Sequence, residues 1–185
     1  AAGDTTGTII IANIVDDTTD ETDETVIITL SSPSNATLGS DKVHTYTITD
    51  DDNQPEISFN VTNSSGSESI SSTAITVDLS AASSNDITVN YSVSGSAVGS
   101  GTDYTLADGT LTISAGETSA TIIITGIIDD LASEGNETVI LTLSSPNNAT
   151  LGDDRVHTYT INDNDGTPTV SFSEVTSNNL ESVSS

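Results

Sequence analysis

The chain has 185 residues, of which 28 are Asp or Glu and only two, Lys42 and Arg155, are basic, giving a formal charge of −26. That balance excludes nucleic acid and anionic lipid as partners, because neutralising phosphate takes Lys and Arg. There is no Cys, hence no disulfide framework or thiolate metal site, and no apolar run approaches the ~20 residues of a membrane span, so direct membrane insertion is not expected of this segment.

Ser and Thr supply about a third of all residues and are interleaved with Ile and Val, an alphabet that favours strands over helices. Residues 1–53 hold three strand-like stretches. Seven more follow, at 56–61 (extending toward Ile70), 73–80, 87–93, 109–114, 118–126, 137–145 and 155–162. Alternation is clean where Val139, Leu141 and Leu143 share one face, and His157, Tyr159 and Ile161 another. Turn chemistry separates the stretches: DGT at 108–110, SAGET at 114–118, SSPNNATLG at 144–152. Seven strands in about 110 residues predict an antiparallel sandwich of immunoglobulin-like size.

The sequence also repeats with a period of 113 residues. IVDDTTDETDETVIITLSSPSNATLGSDKVHTYTITDDD, ending at Asp52, returns without a gap as IIDDLASEGNETVILTLSSPNNATLGDDRVHTYTINDND, ending at Asp165. Residues 1–72 overlay 114–185 with 42 of 72 pairs identical. A long fixed period implies an array of similar units. The expected organisation is the C-terminal half of one repeat at 1–53, a complete repeat at 54–166, and the start of a third at 167–185, all cut from something longer. The fold class is therefore all-β, tandem immunoglobulin-like sandwiches. Neither flank can close a sandwich by itself. The link between units is short, NDGTP before Val170, and Pro168 stiffens it.

The acids are clustered. If successive strands alternate in direction, Glu68, Asp103, Asp129, Asp130, Glu134, Asp163, Asn164 and Asp165 converge on one pole of the complete unit. Asp86, Glu117, Asp153 and Asp154 are dispersed at the other. Eight oxygen-bearing side chains with no basic residue among them suit calcium, which takes 6–8 hard oxygen ligands in flexible geometry. The plainer reading is a solvated, self-repelling acidic coat, but clustering at turns favours a cation site.

The complete unit resembles a Calx-β domain. The matching pieces are Glu68 after the first strand, GTDY at 101–104, GTLTISAGETSATIIITGIIDD at 109–130, ETVILTLSSPNNATLG at 137–152 and the closing DND at 163–165. The resemblance implies a calcium-binding sandwich whose ligands are Glu68, Asp103, Asp129, Asp130, Glu134, Asp163, Asn164 and Asp165. In the first repeat it implies Asp16, Asp17, Glu21, Asp50, Asp51 and Asp52. Asn164 departs from the pattern, since the first repeat has Asp51 there. The third repeat contributes Glu181. The function this implies is structural: a calcium-binding repeat of an extracellular adhesin, surface or filament protein, with calcium rigidifying the junctions. Its partners are neighbouring repeats of the same chain, extending to a homopolymer or fibre. The rival is an adhesion module that grips a glycan or protein through its loops.

Catalysis is not expected. So many serines and acids guarantee chance triads, and aromatics, at 3%, offer no sugar platform beside the paired carboxylates. His44 and His157 read as packed or half-exposed strand histidines. Lys42 and Arg155, at equivalent positions, read as screening nearby acids or guarding a strand edge.

Overall fold

A computed structural model of the chain describes residues 3–178; Glu181 and the rest of 179–185 lie outside them. The described residues form eleven strands and no helix. They are β1 (Glu24–Thr29), β2 (Val43–Ile48), β3 (Glu56–Phe59), β4 (Asn63–Ser67), β5 (Ser72–Leu79), β6 (Ile87–Gly95), β7 (Gly109–Ile113), β8 (Ser119–Thr125), β9 (Glu137–Asn147), β10 (Thr150–Leu151) and β11 (Val156–Asn162). β3 to β11 make two sheets, one ordered β10-β3-β5-β8 and the other β4-β11-β9-β6-β7. The fold is all-β.

The predicted alternation is what closes the two sheets on each other. Val139, Leu141 and Leu143 of β9 are buried, and so are His157, Tyr159 and Ile161 of β11. The antiparallel register sets Tyr159 opposite Val139 and His157 opposite Leu141, so both triads line one inner face. The facing sheet contributes Ile57, Phe59, Ile75, Val77, Ile122 and Ile124. His157 is the packed histidine of the pair. Its ring lies 5.5 Å from Phe59, with Nδ1 2.7 Å from the Val61 carbonyl and Nε2 2.9 Å from Ser64 Oγ. A buried polar ring is tolerable only when its nitrogens are satisfied in this way.

Three elements differ from the sequence reading. The stretch expected to run from 56 toward Ile70 is two strands in different sheets. β3 pairs antiparallel with β5, while β4 pairs parallel with β11, so the sandwich is not wholly antiparallel. Gly66, within β4, lets that strand lie close to β11, because a Cβ there would collide with the Tyr159 hydroxyl. This strand also covers β11, and removes the edge that Arg155 was expected to guard. β9 runs on to Asn147 through a residue expected to lie in a turn, Pro146. The register with β6 slips between Thr88 and Asn90, where a proline without an N–H does no harm.

The third difference lies in residues 3–52. Only β1 and β2 form, as an antiparallel hairpin. The stretch around Ile9–Ile11 is in no strand. Its counterpart β8 is held by β5, and no such neighbour occurs among residues 3–52. The hairpin accordingly carries an exposed apolar face. Ile9, Ile11, Ile28, Leu30, His44 and Tyr46 line an open groove of about 640 Å³, although their counterparts Ile122, Ile124, Leu141, Leu143, His157 and Tyr159 are all buried.

Candidate metal centre

The ends of β4 and β11 and the loops 96–108 and 126–136 meet at one pole of the sandwich. Carboxylate oxygens of Glu68, Asp129 and Asp165 lie within 4.8 Å of one another. Glu68 is only 8% exposed, low for a carboxylate with no cationic partner. One Glu68 oxygen accepts the Asn164 N–H at 3.3 Å. Oδ2 of Asp165 is buried without any hydrogen-bond partner. Beside this trio is a second space of about 20 Å³, lined by Glu68, Asp103, Asp130, Glu134 and Glu137 with Thr102, Ile128 and Ile161. That is room for roughly one water-sized sphere.

Local hydrogen bonds hold the loops in this arrangement. Asp130 Oδ1 accepts the Ala132 N–H at 2.6 Å, folding the acidic loop back on itself as an Asx turn. Asp163 clamps two segments: Oδ2 accepts the Glu134 N–H at 3.0 Å and Oδ1 the Asp165 N–H at 3.1 Å. Asp103 Oδ2 accepts the Val98 N–H at 2.6 Å and closes the loop between β6 and β7. The amide nitrogen of Asn164 faces Asp129 Oδ1 at 3.1 Å and Ser67 Oγ at 3.3 Å. Asn164 therefore tethers Asp129 as a donor in this arrangement, and presenting its oxygen would require the amide to turn over.

The electrostatics agree with the geometry. For Glu68, the Asn164 N–H holds the carboxyl down, but burial and the charges of Asp163, Asp165 and Asp129 outweigh it and leave it raised. Burial, then Asp163, Asp129 and Asp130, raise Asp165. Burial and a carboxyl–carboxyl hydrogen bond to Asp103 raise Glu137, with the charges of Asp103, Glu134 and Glu68 adding to both. Like charges crowded at low accessibility disfavour ionisation. Arg155 cannot relieve them: it precedes β11, eight residues before Asp163, about 26 Å at ~3.3 Å per residue.

The first repeat builds the same loops. Asp17 Oδ1 accepts the Thr19 N–H at 2.8 Å, and Asp50 Oδ2 the Glu21 N–H at 3.1 Å. Asp16, Asp17, Glu21, Asp50, Asp51 and Asp52, with Glu24, surround an opening of about 320 Å³. It is wider than its counterpart, and among the described residues that line it none corresponds to Glu68 or Asp103. The charge of Asp17, then burial and the charges of Glu24, Asp50 and Asp52, raise Glu21. Burial and the charges of Asp50, Asp51, Asp16 and Asp17 raise Asp52.

Glu137 and Glu24 belong to the acidic clusters of the sequence but not to the ligand sets expected from it. They open β9 and β1, and the recurrence of an acid at the same place in both repeats is the signal that marks them.

The Calx-beta domain family model matches residues 1–52 and again residues 50–165, nearly the whole chain. The chain belongs to the Calx-beta domain family. No curated protein matches this Calx-beta chain. Among solved structures it is similar to the apo-form Calx CBD1 domain, with a TM-score of 0.55 at 22% identity over 61% of this chain and 100% of that one. It is also similar to CBD12 from CALX1.2, with a TM-score of 0.54 at 22% identity over 60% of this chain, and it spans 44% of that longer one. The Calx CBD2 domain gives 0.53 at 13% identity over 58% of this chain and 86% of that one. At such identities the likeness speaks for the fold of these Calx-beta sandwiches.

Proposed function

We propose that this chain is a calcium-binding, non-catalytic stretch of a repeat array in an extracellular adhesin, surface or filament protein, and that calcium stiffens the junctions between its sandwiches. The observation that carries this is the Glu68–Asp129–Asp165 trio within 4.8 Å, with Asp165 Oδ2 buried and unpartnered. An acidic coat needs neither the burial nor the orphaned oxygen, since solvated carboxylates spread apart.

Calcium would be held by Glu68, Asp129 and Asp165 in one part of the centre. In the other it would be held by Glu68, Asp103, Asp130, Glu134 and Glu137, with Asp163 and Asn164 setting the closing triplet. In the first repeat, Asp16, Asp17, Glu21, Asp50, Asp51 and Asp52 would serve with Glu24. Bound there, the ion supplies the positive charge that the loops lack. Oxygen donors in this number suit calcium better than magnesium, which keeps its waters and insists on an octahedron.

The mechanical part rests on the link. Asp52 is separated from Pro55 by two residues, Pro55 is buried, and its carbonyl accepts the Thr150 N–H at 3.0 Å. The acidic triplet 50–52 thus abuts the base of the following sandwich, and ordering one orders the other. Neighbouring repeats of the same chain are the partners, and stability grows with their number.

Thermal unfolding in calcium, in magnesium and in chelator tests the reading. A calcium-specific rise in Tm that disappears when Asp129→Ala and Asp130→Ala are introduced together is expected. Equal melting in all three conditions would reduce the acids to a solvated surface.

A further inference from the structure

We propose that the turn at Ser83–Asn85 is a docking socket that receives the acidic loop of the preceding repeat, with Asp20 as the residue it grips. This rests on reading residues 3–52 and 55–162 as successive repeats, and adds to it the surface by which they join.

Asp20 lies in the loop between Asp17 and Glu21. It forms an isolated parallel bridge with Ser83, on the sandwich. Its carbonyl accepts the Ser84 N–H at 3.0 Å, Ser84 Oγ at 3.1 Å and Ser83 Oγ at 3.4 Å, and its carboxylate accepts Ser83 Oγ at 3.2 Å. Ser83 is 1% exposed. The contact is thus a strand-like bridge between segments 63 residues apart, with a buried serine at its centre.

The socket is tied down independently of Asp20. Ser83 Oγ accepts the Asn85 N–H at 3.2 Å, and the Ser83 carbonyl accepts the Gly116 N–H at 2.8 Å. Asp86 Oδ1 accepts the Ala115 N–H at 2.9 Å, and the Asp86 carbonyl accepts the Asn148 amide, also at 2.9 Å. Three turns at the base of the sandwich are therefore locked into one platform, so little ordering is left to oppose docking. Asp86 is the hub of this platform, which gives the acid at the base a role distinct from those at the metal pole.

Comparison of the two repeats points the same way. Thr19 and Asp20 are half-buried, whereas their counterparts Ala132 and Ser133 are exposed. The loops are otherwise built alike, so the difference in burial follows the contact with the Ser83 turn. Asp20 carries none of the loop-closing hydrogen bonds made by Asp17 and Asp50, and stands free to face the next unit.

The test uses the whole chain, which has no Cys and so accepts spin labels at Ser34→Cys and Thr112→Cys, both exposed. Electron–electron distance measurements should give a narrow distribution. Replacing Asp20→Ala, Ser83→Ala and Ser84→Ala together should widen it at least twofold. Asp20→Arg, which lies outside the sandwich and sets a longer side chain against Ser83, should do the same if the serine changes disturb folding. A distribution that is already broad in the parent chain, or that stays narrow in both variants, overturns the socket. Melting with and without calcium is recorded on the same samples. A distribution that depends on Asp20 while calcium leaves Tm unchanged would retain the socket and reject the metal reading.

Discussion

Glu68→Gln is the sharpest perturbation of the centre, because Glu68 borders both the trio with Asp129 and Asp165 and the space lined by Asp103, Asp130, Glu134 and Glu137. The amide keeps the shape and retains an oxygen for the Asn164 N–H, so only the charge changes. Calcium at 100 times its dissociation constant adds about 2.7 kcal/mol to the folded state for one ion. For a sandwich of this size that is a rise in Tm of roughly 10–20 °C. If losing the shared carboxylate weakens binding a hundredfold, the same calcium concentration leaves about 0.4 kcal/mol, or no more than ~3 °C. Without calcium the sign reverses: one negative charge leaves a crowded cluster, and Tm should stay level or rise. Calorimetry or tyrosine fluorescence reads both, since three of the four tyrosines (Tyr91, Tyr104 and Tyr159) are in the sandwich. Asp154→Asn, at the opposite pole, is the matched control. A calcium-dependent rise in the Glu68→Gln protein equal to that of the parent would refute the assignment, and an equal fall in Tm with and without calcium would make Glu68 merely structural.

The carboxyls of Glu21, Asp52, Glu68, Glu137 and Asp165 are all raised in the folded chain. A raised acid binds its proton more tightly folded than unfolded, so its contribution to stability is lost as pH rises from the ordinary carboxylate range through the raised value. In chelator, Tm should therefore increase as pH falls from neutral toward the ordinary carboxylate range, whereas in calcium it should decrease as protons displace the ion; parallel curves would contradict the linkage. Phe59→Ala removes a ring that is 2% exposed and in contact with His157. It should cost about 3–5 kcal/mol in chemical denaturation while leaving the calcium increment in place, and a loss below about 1 kcal/mol would mean that the two sheets do not close on Phe59 as described.

Much of the fold was legible because strand period and turn chemistry are local properties. Val139, Leu141 and Leu143 alternate with polar residues, and only one face of such a strand can be dry. The resemblance of GTDY, the DD pair at 129–130 and the closing triplet to one family was legible too, since those short segments lie at loop positions. The splitting of 56–70 into β3 and β4 was not. It rests on β4 pairing with β11, where Gly66 meets Tyr159, 93 positions away, and no window along the chain contains both. Glu137 stands outside the expected ligand set for a related reason: its place in an acidic cluster is visible along the chain, but only the folded pole sets it beside Asp103.

By itself the sequence determined that the chain is all-β, that it repeats every 113 residues and that its acids gather at turns. Composition, period and turn residues act over a few neighbours or by simple repetition, so they survive without coordinates. The tertiary structure alone decided which carboxylates approach within 4.8 Å, which oxygen is left buried without a partner, and that Asp20 reaches Ser83. Those depend on where two closed sheets bring the ends of distant strands, and distance in space between such ends is not encoded by any local pattern.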